Sequence, residues 1–109
     1  MVPMPGRQRL LLLSPLAERD LEEIWTYTRQ TWSLGQADRY HGQLLAAMEE
    51  LAAGVKVAVN ASAIREGYWR YSTGRHVIFL RYREDTLIVM RVLHQSMDLP
   101  THLGRNDTA

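Results

Sequence analysis

Three strand-like segments separated by two short turns constrain the fold of this sequence more than any other feature. Residues 67–72, 75–83 and 86–94 are rich in β-branched, aromatic and other apolar side chains. The dipeptides Thr73-Gly74 and Glu84-Asp85 separate them. Because turns this short leave neighbouring strands side by side and running in opposite directions, the sequence predicts an antiparallel meander.

The N-terminal part of the chain predicts one strand followed by a helix. Leu10–Leu13 is a continuous apolar run, which indicates a short strand covered on both faces. Ser14 is a helix-capping residue type and Pro15 is favoured in the first turn, so a helix begins here and ends near Trp32. Its apolar stripe has helical spacing and consists of Ala17, Leu21, Ile24, Trp25 and Thr28.

A second helix follows a short connection at residues 33–35. Apolar residues recur on one stripe over residues 37–54, and the short connection makes the two helices an antiparallel hairpin. Trp25 and Tyr40 lie on the two stripes and are expected in the core. Residues 55–66 have neither a helical nor a strand period and predict a loop.

The order of these elements, β-α-α-β-β-β, predicts an α+β domain in which the helical hairpin covers one face of a small, mainly antiparallel sheet. The 109 residues suit one domain at 9–103, with a flexible lead-in at 1–8 and a polar tail at 104–109. The sequence contains no cysteine, which excludes a disulfide, a thiolate nucleophile and a cysteine-based zinc site. No apolar run approaches the ~20 residues of a membrane span, and we expect a cytoplasmic protein.

Charge is segregated along the chain although the formal net charge is only +1. Acidic residues predominate between residues 16 and 53, whereas arginines predominate between residues 65 and 91. Of the 13 basic residues only Lys56 is a lysine, and arginine is the type suited to bidentate contacts with carboxylate or phosphate. The sequence therefore predicts a domain with one acidic and one basic side.

Several short motifs occur together in a fixed order. They are LSPLAERDL at 13–21, IWTY at 24–27, Trp32, QADRY at 36–40, LAA at 51–53, Gly67-Tyr68, GRHVIF at 74–79, VLHQ at 92–95 and Met97-Asp98. Over residues 10–103 this arrangement resembles the ParE toxins of the ParE/RelE superfamily. The resemblance implies the toxin of a type II toxin–antitoxin system, neutralised in a hetero-oligomer by a ParD-like antitoxin. It also implies non-catalytic binding to DNA gyrase, with no cofactor.

A toxin of this kind acts through its binding surfaces, and Trp, Tyr and Arg are the residue types that dominate interface energetics. The expected antitoxin-binding residues are Tyr27, Trp69, Arg70, Tyr71, Arg75, Arg81 and Arg83. The resemblance directs the search for target contacts to the C-terminal stretch, where the candidates are Arg91, His94, Gln95 and Met97. The arginines lie mostly in predicted strands without a helix-turn-helix signal, so we expect no direct DNA binding by this chain alone.

A second reading is the RelE branch, whose members cleave messenger RNA on the ribosome. RNA cleavage needs groups that move protons and cations that hold the phosphate, for which the candidates are Arg75, Arg81, Arg91 and His94. Against it, His76 alternates with Ile78 and Leu80, and His94 with Met90 and Val92, so each ring can simply pack at the sheet face.

A third reading is an inactive family member that only binds its antitoxin. Trp69 and Ser96 stand where many ParE sequences carry arginine, and the long loop contains Gly54-Val55 and Val59 instead of the Asn-Pro opening and later arginine common in relatives. No metal site is predicted, because the histidines lie on different elements without ligand-like spacing: His41, His76, His94 and His102.

Overall fold

The computed structural model describes residues 8–97, which form two helices and a five-stranded sheet. The elements are β1 Leu10–Leu13, α1 Pro15–Thr31, α2 Leu34–Ala52, β2 Val59–Asn60, β3 Trp69–Thr73, β4 His76–Arg83 and β5 Thr86–His94. The strand order is β1-β5-β4-β3-β2; β1 pairs with β5 in parallel, and the other pairs are antiparallel. The predicted α+β fold and meander are confirmed. The predicted tail and, apart from Gln8, the predicted lead-in lie outside the described residues.

Serine residues set the start of both helices. Ser14 caps α1 by accepting a hydrogen bond from the Ala17 N–H at 3.0 Å, and Ser33 caps α2 by accepting from the Gln36 N–H at 3.1 Å. The second cap lets α2 begin at Leu34, within the segment that was expected to be only a connection. The helical hairpin therefore turns over almost no intervening chain.

The main core lies between the helical hairpin and one face of the sheet. Its buried residues include Leu21, Leu44 and Met48 from the helices and Ile78 and Leu87 from the strands. This arrangement follows from the helical stripes, because each stripe covers the side of the sheet to which the alternating strand residues point.

The two aromatic residues expected in the core are only half-buried, and of the two only Tyr40 packs against the core. Trp25 donates a hydrogen bond from Nε1 to Asp38 Oδ1 at 3.0 Å at the margin of the hairpin. Tyr40 packs against the core with part of its ring but directs its hydroxyl towards His76. Both residues have a polar tip that finds a partner at the edge of the apolar layer.

The strand β1 was predicted to be covered on both faces, but only one of its faces is covered. Leu11 and Leu13 pack against the core, but Leu10 and Leu12 are 63% and 47% exposed. The continuous apolar run was misleading because β1 is an edge strand and the helices cover only its one face.

A smaller core covers part of the opposite face of the sheet. Ala61 and Tyr68, which flank the turns after β2, bury Val77, Phe79 and Leu93 there. The segment predicted as a loop contains the two-residue strand Val59–Asn60, which pairs with Arg70 and Trp69 of β3. A strand this short has no detectable period in the sequence.

An irregularity in the pairing of β4 with β5 changes which residues share a face. Phe79 pairs with Arg91 and Leu80 with Val89, so Met90 is an additional residue without a partner. Met90 consequently packs against the smaller core, whereas Val92 belongs to the main core. The predicted common face of Met90, Val92 and His94 is therefore wrong for Met90. Across the described residues, no helix has the length and apolar character needed to cross a membrane.

Candidate partner-binding groove

A groove of about 1140 Å³ lies between the helical hairpin and the ends of β4 and β5. Its walls come from α1 and α2, and its floor comes from the β3–β4 turn and the C-terminal part of β5. The aromatic and apolar side chains on its rim include Tyr27, Trp32 and Met97, which are 66%, 65% and 42% exposed. Large exposed apolar side chains around a concavity are typical of a surface that a partner covers.

A buried ion pair holds α1 against the floor of this groove. Asp20 accepts hydrogen bonds from Arg91 Nε and Nη2 at 2.7 and 2.9 Å, and from the Val92 N–H at 2.9 Å. The carboxylate thus satisfies a backbone donor on the edge of β5 beyond the point where β1 ends. Ser14 acts similarly by donating from Oγ to the Met90 carbonyl at 2.7 Å. β1 therefore pairs with one part of the β5 edge, and side chains at the start of α1 bond to the backbone of the next part.

Arg91 was predicted as a target contact, but its side chain is largely occupied within the fold. Arg91 is 8% exposed, and Asp20 neutralises its charge. The guanidinium therefore serves mainly to stabilise the fold. Sequence alone did not reveal this pairing, because the two residues are separated by 71 positions. Arg91 Nη1 is buried without a hydrogen-bond partner among the described residues, although Arg91 contributes to the lining of the groove.

A hydrogen-bonded cluster connects α2 with the β3–β4 turn. Tyr40 Oη lies 2.6 Å from His76 Nδ1 and accepts a hydrogen bond from the Arg75 N–H at 3.0 Å. Gly74 permits this approach: its φ is +58°, and a Cβ there would lie 2.7 Å from both Cε1 and Oη of Tyr40. The turn therefore requires glycine for its backbone conformation and for the close packing of the tyrosine ring.

His76 and His94 face each other across β4 and β5. The Gln95 N–H donates to the Arg75 carbonyl at 3.0 Å, so the two histidines occupy a non-hydrogen-bonded pair, where cross-strand side chains are closest. Their ring centroids are 5.3 Å apart at an interplanar angle of 86°. Burial and then the neighbouring His94 lower the pKa of His76 from 6.5 to about 4, so its ring is neutral at physiological pH.

His94 is half-buried, and its Nδ1 makes two contacts with Ser96. Ser96 Oγ lies at 2.7 Å, and the Ser96 N–H donates to the same ring nitrogen at 3.1 Å. Ser96 therefore holds the ring of a groove-lining histidine in place.

Besides the paired Arg91, four residues from two different predictions line this groove. Tyr27 and Arg75 were expected to bind the antitoxin, and His94 and Met97 were expected to bind the target. Gln95 is exposed beside them but does not line the groove. The residues that sequence reasoning missed are Trp32, Gln36, Arg39, Tyr40, Gln43 and His76. Of these residues, only Trp32 could have been identified from the sequence. It is a tryptophan at the end of a predicted helix, and it lies beyond the apolar stripe of that helix.

The remaining predicted antitoxin residues lie on two other surfaces. Trp69 and Tyr71 are half-buried on the helical side of β3, where Trp69 packs edge-on against Tyr82 with ring centroids 5.8 Å apart. Lys56 lies 5.6 Å from the Tyr71 ring centroid, and a hydrogen bond with Tyr71 raises the lysine pKa. These contacts place the two aromatic residues partly in the fold.

Three exposed arginines lie on the opposite face of the sheet. Arg70 pairs with Phe79, whose side chain belongs to the smaller core, and alternation places Arg81 and Arg83 on that same face. Arg81 extends over the Tyr68 ring at 5.8 Å from its centroid. The seven residues predicted to bind the antitoxin therefore lie on three different surfaces.

The structure brings only some of the candidate residues for RNA cleavage together in an accessible form. Arg75, Arg91 and His94 line the groove, but Arg91 is paired with Asp20, and Arg81 lies on the far face. Within residues 8–97 no group of three histidine, aspartate or glutamate side chains is arranged to hold a metal ion. The exposed Tyr27, Trp32 and Met97 and the polar side chains of the floor give the groove both apolar and hydrogen-bonding contacts for a partner.

Comparisons with known proteins agree with this architecture. Residues 11–99 match the family model described as the ParE toxin of the type II toxin–antitoxin system parDE. Toxin ParE1 of Mycobacterium tuberculosis is 42% identical over 93 residues, which cover 84% of this chain and 95% of the relative. Toxin ParE1 of Caulobacter vibrioides is 41% identical over 92 residues, with the same coverage. Toxin ParE of Escherichia coli is 32% identical over 94 residues, covering 85% and 91%.

Two solved structures have the same fold at low sequence identity. A chain of the chromosomal ParDE system from P. aeruginosa aligns with a TM-score of 0.69 and 11% identity, covering 80% of this chain and 96% of that one. A chain of the RelBE2 toxin–antitoxin complex from Mycobacterium tuberculosis aligns with a TM-score of 0.62 and 16% identity, covering 84% and 95%.

Proposed function

The chain belongs to the ParE toxin family of type II toxin–antitoxin systems, and we propose that it binds DNA gyrase in the cytoplasm without catalysing a reaction. Its neutralising partner is a ParD-like antitoxin that binds the toxin in a hetero-oligomer. Family membership over most of the chain supports the proposal. So do the pairing of Arg91 with Asp20 and the position of Arg81 on the far face, which leave few of the groups that RNA cleavage would require. The bound toxin holds gyrase with its DNA cleaved, so that breaks accumulate.

The observation that carries the mechanism is the shared groove. Tyr27 and Arg75, from the predicted antitoxin surface, line the same concavity as His94 and Met97, from the predicted target surface. An antitoxin segment seated there covers the target contacts directly. Neutralisation then follows from steric exclusion of the target, with no conformational change in the toxin.

The chemistry of the groove indicates what the antitoxin segment supplies. Tyr27, Trp32 and Met97 accommodate apolar side chains, whereas the exposed Arg75 accommodates a carboxylate. An amphipathic segment that folds on binding provides both kinds of group from one face. The arginines of the far face, Arg70, Arg81 and Arg83, remain a prediction for contacts outside the groove.

A gyrase cleavage assay tests the target. Purified toxin incubated with gyrase, ATP and supercoiled plasmid is expected to accumulate linear DNA after denaturation of the protein. The double variant His94→Ala/Met97→Ala removes two groove contacts and should lose most of this activity, whereas the exposed Gln30→Ala on α1, outside the groove, should retain it. Messenger cleavage in a translating extract with gyrase unaffected would instead establish the RelE reading. Normal growth on expression without antitoxin, together with inert purified protein, would establish an inactive member.

A further inference from the structure

The floor of the groove carries ring nitrogens that have no hydrogen-bond partner among residues 8–97. His94 Nδ1 accepts the Ser96 N–H, so the neutral ring carries its hydrogen on Nε2. Tyr40 Oη already accepts the Arg75 N–H, and we assign its own hydrogen to His76 Nδ1 at 2.6 Å. The neutral His76 ring then also carries its hydrogen on Nε2. Among the described residues neither Nε2 has a hydrogen-bond partner.

The two Nε2–H donors belong to one compact site. Both rings line the groove, and their position in a non-hydrogen-bonded pair keeps the ring centroids 5.3 Å apart. The two rings therefore lie close enough for one small group to contact both. Tyr40 and Ser96 fix the rings from behind, because each occupies the Nδ1 atom of one histidine.

Donors exceed acceptors on this floor. Arg91 Nη1 is buried without a partner in the described part of the chain, and the exposed Arg75 lies at the same end of the groove. The carboxylate of Asp20 is already used by Arg91 and the Val92 N–H. Arg91 Nη1 is itself buried out of reach, but acceptor oxygens in the groove would complement the Nε2–H donors of the two histidines and the exposed Arg75.

We propose that His76 and His94 form a carboxylate subsite that receives an aspartate or glutamate side chain of the antitoxin. The inference rests on the proposed function, in which the antitoxin occupies the groove. A peptide carboxylate fits better than the phosphates of a nucleic acid because the rim is apolar and its cations are few. Arg39 bonds to Gln36, and Glu23 on the opposite wall repels a polyanion.

Binding of a carboxylate at this subsite is linked to proton uptake. A nearby negative charge favours the imidazolium form, so it opposes the burial that lowers the pKa of His76. Affinity for the carboxylate therefore rises as the pH falls through the pKa of the bound state. The charged and titratable groups around the pair are Asp20 and Glu23 on α1, Arg39 and Tyr40 on α2, Arg75 in the turn and Arg91 on β5. Asp20 also raises the His76 pKa, but its pairing with Arg91 limits this influence.

The subsite is tested first on the toxin alone, with small anions as probes. Toxin labelled with ¹⁵N-histidine is titrated with sodium acetate, with neutral acetamide as the matched control and with inorganic phosphate. Acetate is expected to shift the Nε2 resonances of both histidines and to raise the pKa of His76, and acetamide is expected to do neither. Shifts with phosphate but not acetate would overturn the carboxylate assignment in favour of a nucleic-acid ligand. The absence of any anion response would overturn the site.

Substitutions of His94 then connect the subsite to the antitoxin. His94→Gln keeps an N–H donor near the Nε2 position but cannot titrate, whereas His94→Phe keeps the size of the ring and removes the donor. His94→Phe should weaken affinity for the antitoxin encoded with the toxin by about tenfold or more. His94→Gln should retain affinity and lose part of its pH dependence. Tight antitoxin binding that neither variant changes would refute the subsite alone, whereas failure of the wild-type toxin to bind would refute the proposed function.

Discussion

Replacing Asp20 by alanine removes the carboxylate that joins α1 to β5 beneath the groove. The substitution leaves Arg91 as a buried cation without a counter-charge and leaves the Val92 N–H without an acceptor. Both groups are inaccessible to compensating bulk water, because Asp20 and Arg91 are 7% and 8% exposed. We therefore expect a large loss of folding free energy from a single side chain.

The magnitude follows from the two losses. Breaking a buried ion pair by removing one partner costs about 3–5 kcal/mol. An orphaned buried N–H costs about 1–3 kcal/mol. Because both depend on the same carboxylate they do not add fully, and about 4–6 kcal/mol is expected. Domains of this size have about 5–15 kcal/mol of total stability, so Asp20→Ala lies near the limit of folding.

A double-mutant cycle separates the ion pair from the rest of the structure. Arg91→Met removes the charge but keeps much of the volume, so Asp20→Ala/Arg91→Met should be more stable than Asp20→Ala by about 2 kcal/mol. Asp20→Asn keeps an acceptor for Val92 and should cost about 2–3 kcal/mol, which leaves a folded variant to measure.

Urea denaturation followed by tryptophan fluorescence measures these differences. Glu22→Ala is the matched control, because it removes an exposed carboxylate from the same helix and should change stability by less than about 0.5 kcal/mol. Equal effects of Asp20→Ala and Glu22→Ala, or a cycle without coupling energy, would refute the assignment of Asp20 as the residue that fixes α1.

Three further predictions concern the margin of the groove and the helices. Gly74→Ala should lower the free energy of unfolding, measured by urea denaturation, by about 1–3 kcal/mol, because φ is +58° and the new Cβ meets Tyr40. Gly42→Ala, where a Cβ would have nothing within 4 Å, should instead stabilise α2 by about 0.5–1 kcal/mol. The lowered pKa of His76, about 4 against 6.5, means that the unfolded chain binds a proton in this window and the folded chain does not. Stability should therefore fall as the pH drops from 6.5 to 4, by about 1–2 kcal/mol after allowance for the exposed half of the ring, and His76→Phe should flatten this part of the profile. Trp25→Phe should lose the Asp38 hydrogen bond and cost about 0.5–1.5 kcal/mol by thermal or chemical denaturation.

The fold was predictable from local sequence patterns. The turns at Thr73-Gly74 and Glu84-Asp85 determine the meander, and Ser14 and Pro15 determine the start of α1, because each acts over only a few neighbouring residues. Burial on the two faces of a strand depends instead on what packs against it. For that reason Leu10 and Leu12 were expected to be covered, whereas they lie exposed on an edge strand.

The groove was less predictable because it depends on distant contacts and on strand register. Tyr40 and His76 are 36 positions apart, and Asp20 and Arg91 are 71 apart. The additional residue Met90 shifts the alternation of β5, so that counting in twos from Met90 to His94 assigns the wrong face to Met90. A pairing irregularity of this kind has no signature in a run of apolar residues.

The division of the predicted arginines between two faces leads to a test of where the antitoxin's acidic residues lie. Arg75→Glu reverses a charge at the groove, whereas Arg81→Glu/Arg83→Glu reverses two charges on the far face. If the antitoxin places its carboxylates in the groove, the single reversal should weaken affinity more than the double reversal, by about tenfold at low salt. The difference should shrink as the salt concentration rises, because exposed charges are screened. A larger loss from the double reversal, measured by calorimetry across a salt series, would place the acidic segment on the far face and refute direct occlusion of the groove.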